Sequence, residues 1–256
     1  MNQPLAHPRQ TVDDYASQYS GDFVSKWDEL IDWDLRKKGE NGFFEKILKN
    51  ADCRSVIDVS TGSGFHAVQL KQAGLHVVAN DGSATMVAKA RANFARHDLA
   101  IECHHQDWLD LDSRQLGTFD AVVCLGSSLC HVFDEGDRRR VLANFRSLLK
   151  PGGQLIIDQR NFFAILAGRY KSSGQYYYCG TSASVTLGEV NDQLCEFRYS
   201  FNGAPPYSLK VYPLQPEQLK TEINASGFHH QSMFGDFKAD FDMLTADFVI
   251  HKAVAS

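Results

Sequence analysis

Several features that would narrow a protein's class at once are missing from this 256-residue chain. Its six cysteines (Cys53, Cys103, Cys124, Cys130, Cys179 and Cys195) form no C-x-x-C pair, and no histidine stands at zinc-like spacing from them. Neither a disulfide framework nor a metal site is expected, and the thiols are read as reduced. No apolar run approaches the roughly 20 residues needed to cross a bilayer, and MNQPLAHPRQTVDDYASQYS has no basic segment leading into an apolar one. A soluble cytoplasmic protein without a membrane partner is expected. Basic tracts are absent too: the net charge is -5, and DRRRVL from Asp137 to Leu142 reads as one solvated helix face. That argues against a nucleic-acid partner, whose phosphates need clustered Lys and Arg. No internal repeat or low-complexity segment is visible.

What is present is enough apolar material, 43% of residues, to close a substantial core. Residues 1 to about 20 are polar and read as a mobile arm. From Asp22 to Lys49, Phe23, Trp27, Leu30, Ile31, Leu35, Phe43, Phe44, Ile47 and Leu48 recur at helical spacing, which predicts one or two amphipathic helices. Then short apolar runs alternate with helical stretches: SVIDV, a helix from Phe65, HVVAN, a helix from Ser83 to about His97, IECHH, DAVVCLG, a helix from about Glu135 to Leu149, and GQLIIDQ. Strands that are apolar on both faces and separated by helices predict a doubly wound, mostly parallel α/β sheet. KPGGQ, Lys150 to Gln154, is expected to end a helix and start the fifth strand.

After Arg160 the rhythm changes. ASVTL, CEFRYSF and YSLKVYPL predict a small antiparallel β insertion, a helix with Pro216 in its first turn runs towards Gly227, and HHQSMFGDF and ADFVIHKAV look like two closing strands. The expected organisation is an arm with helices over residues 1–50, a core over 51–168 and 213–256, and an inserted substrate-side subdomain over 169–212.

The stretch VIDVSTGSGFHAVQL, Val56 to Leu70, carries the first functional signal. A strand that enters a glycine loop and then a helix presents backbone N–H groups at the carboxyl edge of the sheet, where open α/β folds bind ligands. Asp81 follows about twenty residues past Gly62, where a carboxylate can take both hydroxyls of a ribose. The loop has only two glycines, and Asp58 stands just before it. That departs from the dinucleotide fingerprint and favours a cationic ligand carrying an amino group and a sulfonium. With QDW at Gln106 to Trp108, the pattern is that of an S-adenosylmethionine-dependent methyltransferase. The competing readings are structural: Asp81 as a helix cap, Trp108 as core.

FVSKWDELIDWDLR, VVANDGSATM, DAVVCLGSSLCHVFDEGDRR, LIIDQRNFFAIL, YYYCGTSASV and MFGDF resemble the bacterial glycine/sarcosine N-methyltransferases and, more distantly, animal glycine N-methyltransferase. The likeness runs from about Tyr19 to His251. It implies a seven-stranded Rossmann-like sheet, S-adenosylmethionine as methyl donor with S-adenosylhomocysteine as product, and a small amino acid as acceptor. Tyr19, Trp27 and Arg36 match positions that close over the cofactor, with the arginine reaching its carboxylate. Ser60 stands where the family usually has alanine, Asp107 and Trp108 match the pair beside the adenine, and Leu125 matches a backbone contact to the methionine part. Arg160 matches the clamp for the acceptor carboxylate, Tyr199 a tyrosine of that pocket, and Tyr178 a tyrosine near the cofactor. Arg160 could instead be a salt bridge at a strand end and Tyr178 plain sheet packing; His131 is read as a structural histidine, with a proton-accepting role as the alternative.

One position departs from the family: CLGSS puts Ser127 where it reads CLGNS, and the resemblance implies that this position helps hold the acceptor carboxylate. A hydroxyl in place of a carboxamide leaves more room and a different hydrogen-bond geometry. The acceptor is expected to be glycine, sarcosine or both, with a larger amino acid such as a thiol-histidine of the ovothiol type as the alternative. A non-catalytic S-adenosylmethionine-binding protein is a third reading, against which Arg160 and Tyr199 argue. A monomer or weak homo-oligomer is expected.

Overall fold

The computed structural model describes residues 17–170 and 181–256, so most of the predicted arm, Tyr178 and Cys179 lie outside the described residues. The helical leader is more broken than its spacing predicted: α1 (Gly21–Ser25), α2 (Trp27–Ile31), α3 (Trp33–Glu40) and α4 (Phe43–Asn50) follow in short succession. The breaks have local causes. Asp32 takes a left-handed conformation between α2 and α3, with its carboxylate accepting from the Leu35 N–H at 3.1 Å, and Asn41 and Gly42 do the same before α4.

The core then alternates β1 (Ser55–Asp58), α5 (Phe65–Gln72), β2 (His76–Asp81), α6 (Ala84–Arg96), β3 (Glu102–His105), a 3-10 turn at Trp108–Asp110, α7 (Ser113–Leu116), β4 (Phe119–Cys124), a second 3-10 turn at Leu129–His131, α8 (Glu135–Ser147), β5 (Leu149–Arg160) and α9 (Phe162–Leu166). Next come β6 (Ala183–Val190), β7 (Cys195–Phe201) and β8 (Tyr207–Val211), then α10 (Pro216–Ala225), β9 (Phe228–Gly235) and β10 (Phe248–Ala255).

The main sheet has the order β3-β2-β1-β4-β5-β10-β9, parallel from β3 to β5 and antiparallel where β10 joins β5 and β9 joins β10. β6, β7 and β8 form a separate antiparallel sheet. The predicted fold class is the observed one. KPGG behaves differently from the expected turn: α8 has already ended at Ser147, and the segment lies inside β5 as a bulge, where Gly152 has φ +75 and the register with β4 jumps between Phe119 and Ala121.

Each face of the sheet is covered. Phe23 and Leu30 join Phe145, Phe162, Tyr199 and Phe201 on one side, which fixes the three-stranded sheet to the core. Phe44 and Leu48 join Val56, Phe94, Phe248 and Ile250 on the other. Burying each such side chain contributes about 1.5–3 kcal/mol. The five described cysteines are free and buried, and no helix of the described residues is long and apolar enough to cross a membrane. The order of strands reverses between β1 and β4, so their carboxyl ends open the crevice where a ligand can enter.

Candidate active site

The glycine loop after β1 is tied down on three sides. Gly62 (φ +54) donates its N–H to Asp81 Oδ2 at 2.8 Å, and Thr61 N–H donates to Asn80 O at 2.9 Å, which joins the loop to β2. The Ser60 hydroxyl bonds both backbone groups of Leu125 at 2.9 Å, which joins it to the segment after β4. The Trp108 indole N–H donates to Val59 O at 2.7 Å. Gly64 (φ +93) starts α5 with the Phe94 ring so close that an added Cβ would lie 2.5 Å from it. Helix α6 therefore presses on the loop at a point where only glycine fits.

Asp81 is held at both oxygens, since Oδ1 accepts from Ser83 N–H at 2.8 Å, while the carboxylate still faces the cleft. Burial pushes its pKa up to about 6, against the pull of those two N–H donors. Asp58 lies beneath the loop at 1% exposure; burial raises it to about 6, opposed by His66 and by hydrogen bonds from Ser60 N–H and Thr61. Burial also raises Asp107, whose Oδ1 caps the 3-10 turn by accepting from Leu109 N–H at 2.7 Å. Helix capping and ligand binding are compatible at Asp81 and Asp107, because a carboxylate oxygen can accept two hydrogen bonds.

The cleft is lined by Tyr19, Trp27 and Arg36 from the leader, by Ser60 and Gly62 from the loop, and by Asp81, Asp107, Trp108 and Leu125 from the strand ends. Nine of the sequence-predicted positions thus meet in one place. Arg36 is 5% exposed and donates from Nε to Glu40 Oε1 at 2.7 Å; His66 Nε2 lies 3.0 Å from the same oxygen. The Tyr19 hydroxyl lies 2.9 Å from His131 Nε2, and burial lowers His131 to about 4, so that imidazole is neutral near pH 7. Ser63 adds a buried hydroxyl with no hydrogen-bond partner among the described residues. A nucleoside with an amino acid attached fits this set: carboxylates for hydroxyls and amines, an arginine for a carboxylate, and a Trp108 ring whose N–H is already committed elsewhere.

Ser127, Arg160 and Tyr199 do not line the cleft; all three are buried, at 8%, 2% and 1% exposure. Arg160 donates from Nη1 to Asp247 Oδ1 at 2.8 Å, and its guanidinium carbon lies 5.7 Å and 5.8 Å from the rings of Tyr170 and Phe197. The salt bridge read as an alternative from sequence is therefore present. Ser127, at φ +60, donates its N–H to Asp158 Oδ1 and accepts from the Arg160 N–H, both at 2.9 Å. Its hydroxyl holds the end of β5. Tyr199 packs 5.3 Å from the Phe23 ring.

Sequence reasoning missed Glu40, His66, Asp158 and Asp247, and it read His131 as structural. Glu40 offered a signal, since it stands four residues past Arg36 on a helix. Asp247 offered none: it lies 87 residues from its partner, and only the antiparallel β5/β10 pairing brings them together.

A methyltransferase domain model matches residues 56–153. The switch-point cleft and the acidic loop lie at the strand ends of that methyltransferase domain, β2 and β4 among them. The glycine/sarcosine N-methyltransferase of Halorhodospira halochloris is 44% identical over 94% of this chain and 90% of that protein. That of Aphanothece halophytica is 41% identical over 94% and 91%. The chain belongs to the glycine/sarcosine N-methyltransferase family. Among solved structures, an S-adenosylmethionine-dependent methyltransferase from Clostridium acetobutylicum superposes with a TM-score of 0.73 at 15% identity, over 92% of this chain and 98% of its own, a likeness of fold alone.

Proposed function

We propose that the protein transfers the methyl group of S-adenosylmethionine to the nitrogen of glycine and of sarcosine, giving sarcosine and dimethylglycine with S-adenosylhomocysteine as second product. The observation that carries this reading is a buried arginine, Arg160, at the end of the strand next to a cleft walled by Asp81, Asp107 and Trp108. S-adenosylmethionine, when bound, supplies a sulfonium-borne methyl group for one-step in-line displacement.

The chain's own part is placement and exclusion of water. Asp81 and Asp107 accept from hydroxyls and an exocyclic amine, Trp108 covers the ring, and Arg36 meets the donor's carboxylate with Glu40 setting its direction. Leu125 contributes a backbone contact, and Asp58 a negative charge beneath the loop. Arg160 clamps the acceptor carboxylate through its planar fork while Asp247 fixes one edge of it. The leader, through residue 50, forms the cover, and the insertion over 169–212 forms the acceptor side with Tyr199; Tyr178 is assigned to the cofactor on the family resemblance. The acceptor amine attacks as the neutral form, its ammonium proton having passed to water, and positioning of this kind can reach an effective molarity of about 10⁵ M or more, so no dedicated side-chain base is invoked.

The test is product analysis by mass after incubation with S-adenosylmethionine and glycine, sarcosine, dimethylglycine and larger amino acids, thiol-histidines included. Sarcosine and dimethylglycine are expected from the first two substrates. Turnover confined to larger amino acids would move the acceptor assignment, and cofactor binding without any turnover would reject catalysis.

A further inference from the structure

Arg138 sits in the first turn of α8 with 1% of its surface exposed, and nothing about the reaction assigns it a role. Its Nε and Nη2 donate to the two carboxylate oxygens of Glu222 on α10, each at 2.9 Å. Its Nη1 reaches back along the chain and donates to Val132 O at 2.9 Å and Phe133 O at 2.8 Å. Val132 and Phe133 are part of the cleft wall. On the far side, the Tyr212 ring lies 4.5 Å from the guanidinium carbon, just where the chain leaves β8, and the Tyr212 N–H donates to Cys130 O at 2.8 Å.

Stability alone is a poor reason for this arrangement. A buried ion pair gains little over a well-packed apolar pair of similar volume, because desolvation of both charges offsets their attraction. What arginine adds is geometry: one planar group meets a carboxylate on one edge and two carbonyls on another, which an ammonium cannot do. Those carbonyls belong to a stretch between β4 and α8 whose one helical turn, the 3-10 turn at Leu129–His131, ends just before them.

We propose that Arg138 is a positioning residue that fixes the Val132–Phe133 wall of the cofactor cleft and couples it to the chain leaving the three-stranded sheet. The proposal rests on the reading of the cleft as the S-adenosylmethionine site. Arg138 touches no reactant; it acts through the backbone of Val132 and Phe133.

Two variants test it. Arg138→Lys keeps a charge for Glu222 but loses the fork; the double variant Arg138→Met with Glu222→Met removes both buried charges, leaving neither uncompensated. Hydrogen exchange of residues 131–134 in the ligand-free protein reads the clamp directly, and the Kd and KM for S-adenosylmethionine read its consequence. In both variants exchange in that segment is expected to speed up about tenfold or more, and the cofactor Kd and KM to rise about fivefold or more, with kcat and acceptor KM at saturating cofactor within about twofold. The double variant is expected to keep these effects while its melting temperature stays near that of the unmodified protein.

Unchanged exchange and cofactor KM in both variants would overturn the proposal. So would a double variant that recovers normal cofactor KM, or a parallel fall of every kinetic parameter with stability. If the unmodified protein binds S-adenosylmethionine but methylates neither glycine nor sarcosine, the acceptor reading fails while exchange and Kd still decide the role of Arg138. Absence of any S-adenosylmethionine binding to the unmodified protein would overturn both.

Discussion

Asp81 accepts the backbone N–H of Gly62 at 2.8 Å, so the carboxylate that ends β2 also holds the turn that follows β1. The same group that would meet a ribose shapes the loop around it. Asp81→Asn should therefore weaken S-adenosylmethionine binding about 10- to 100-fold, the range expected when a hydrogen bond to a charged group is lost. Calorimetric titration checks this; an unchanged Kd would reduce Asp81 to a helix cap.

Binding should also depend on pH through Asp58. Its carboxyl titrates at about 6 when folded, against an ordinary value of 3.8, so the folded chain keeps a proton between about pH 4 and 6 that the unfolded chain has lost. The sign follows: as pH rises through that window, ionising Asp58 costs stability. A cationic ligand above it favours the ionised form, so S-adenosylmethionine binding near pH 5.5 should release protons and weaken as pH falls below about 6. Titrations in buffers of different ionisation heat measure the release, and Asp58→Asn should remove its share. Proton uptake on binding would contradict this assignment.

Acid should act in the opposite sense at His251. It is 1% exposed, bonds His230 through Nδ1 at 3.1 Å, and burial lowers it to about 3. The folded chain resists a proton that the unfolded chain takes below about 6.5, so stability drains away as pH falls from there towards 3. Denaturant midpoints at several pH values should show a shallower acid loss in His251→Gln than in the unmodified protein.

The two loop glycines should respond unequally to alanine. Both have positive φ, but only at Gly64 would a Cβ meet the Phe94 ring, at 2.5 Å; at Gly62 nothing lies within 4 Å. Gly62→Ala should cost about 1–2 kcal/mol of backbone strain, and Gly64→Ala clearly more. Thermal unfolding of the two variants gives the comparison.

How much of this was legible in advance varies with distance along the chain. β1, β2, β7 and the start of α6 near Ser83 follow from local pattern, and Asp81 and Trp108 lie where spacing put them. KPGG misled because a positive-φ glycine serves a bulge as well as a helix end. The Ser127 hydroxyl accepts the Arg160 N–H, a contact that the CLGSS motif does not reveal. Such a bond, like Arg160 to Asp247, depends on which strands become neighbours, and the order of strands is not written in any local stretch.

Asp247 holds one edge of the buried Arg160 guanidinium through a 2.8 Å ion pair. Asp247→Asn should destabilise the fold by about 3–5 kcal/mol, the range for breaking a buried ion pair. A loss below about 1 kcal/mol in denaturant unfolding would show that the guanidinium is not held this way.

In the proposed function donor and acceptor are recognised by separate groups, the cleft for S-adenosylmethionine and Arg160 for the amino-acid carboxylate. Steady-state kinetics and calorimetry on Arg160→Lys test it most directly. The acceptor KM is expected to rise about tenfold or more with the S-adenosylmethionine Kd within about twofold. Equal losses of acceptor and cofactor affinity would contradict it.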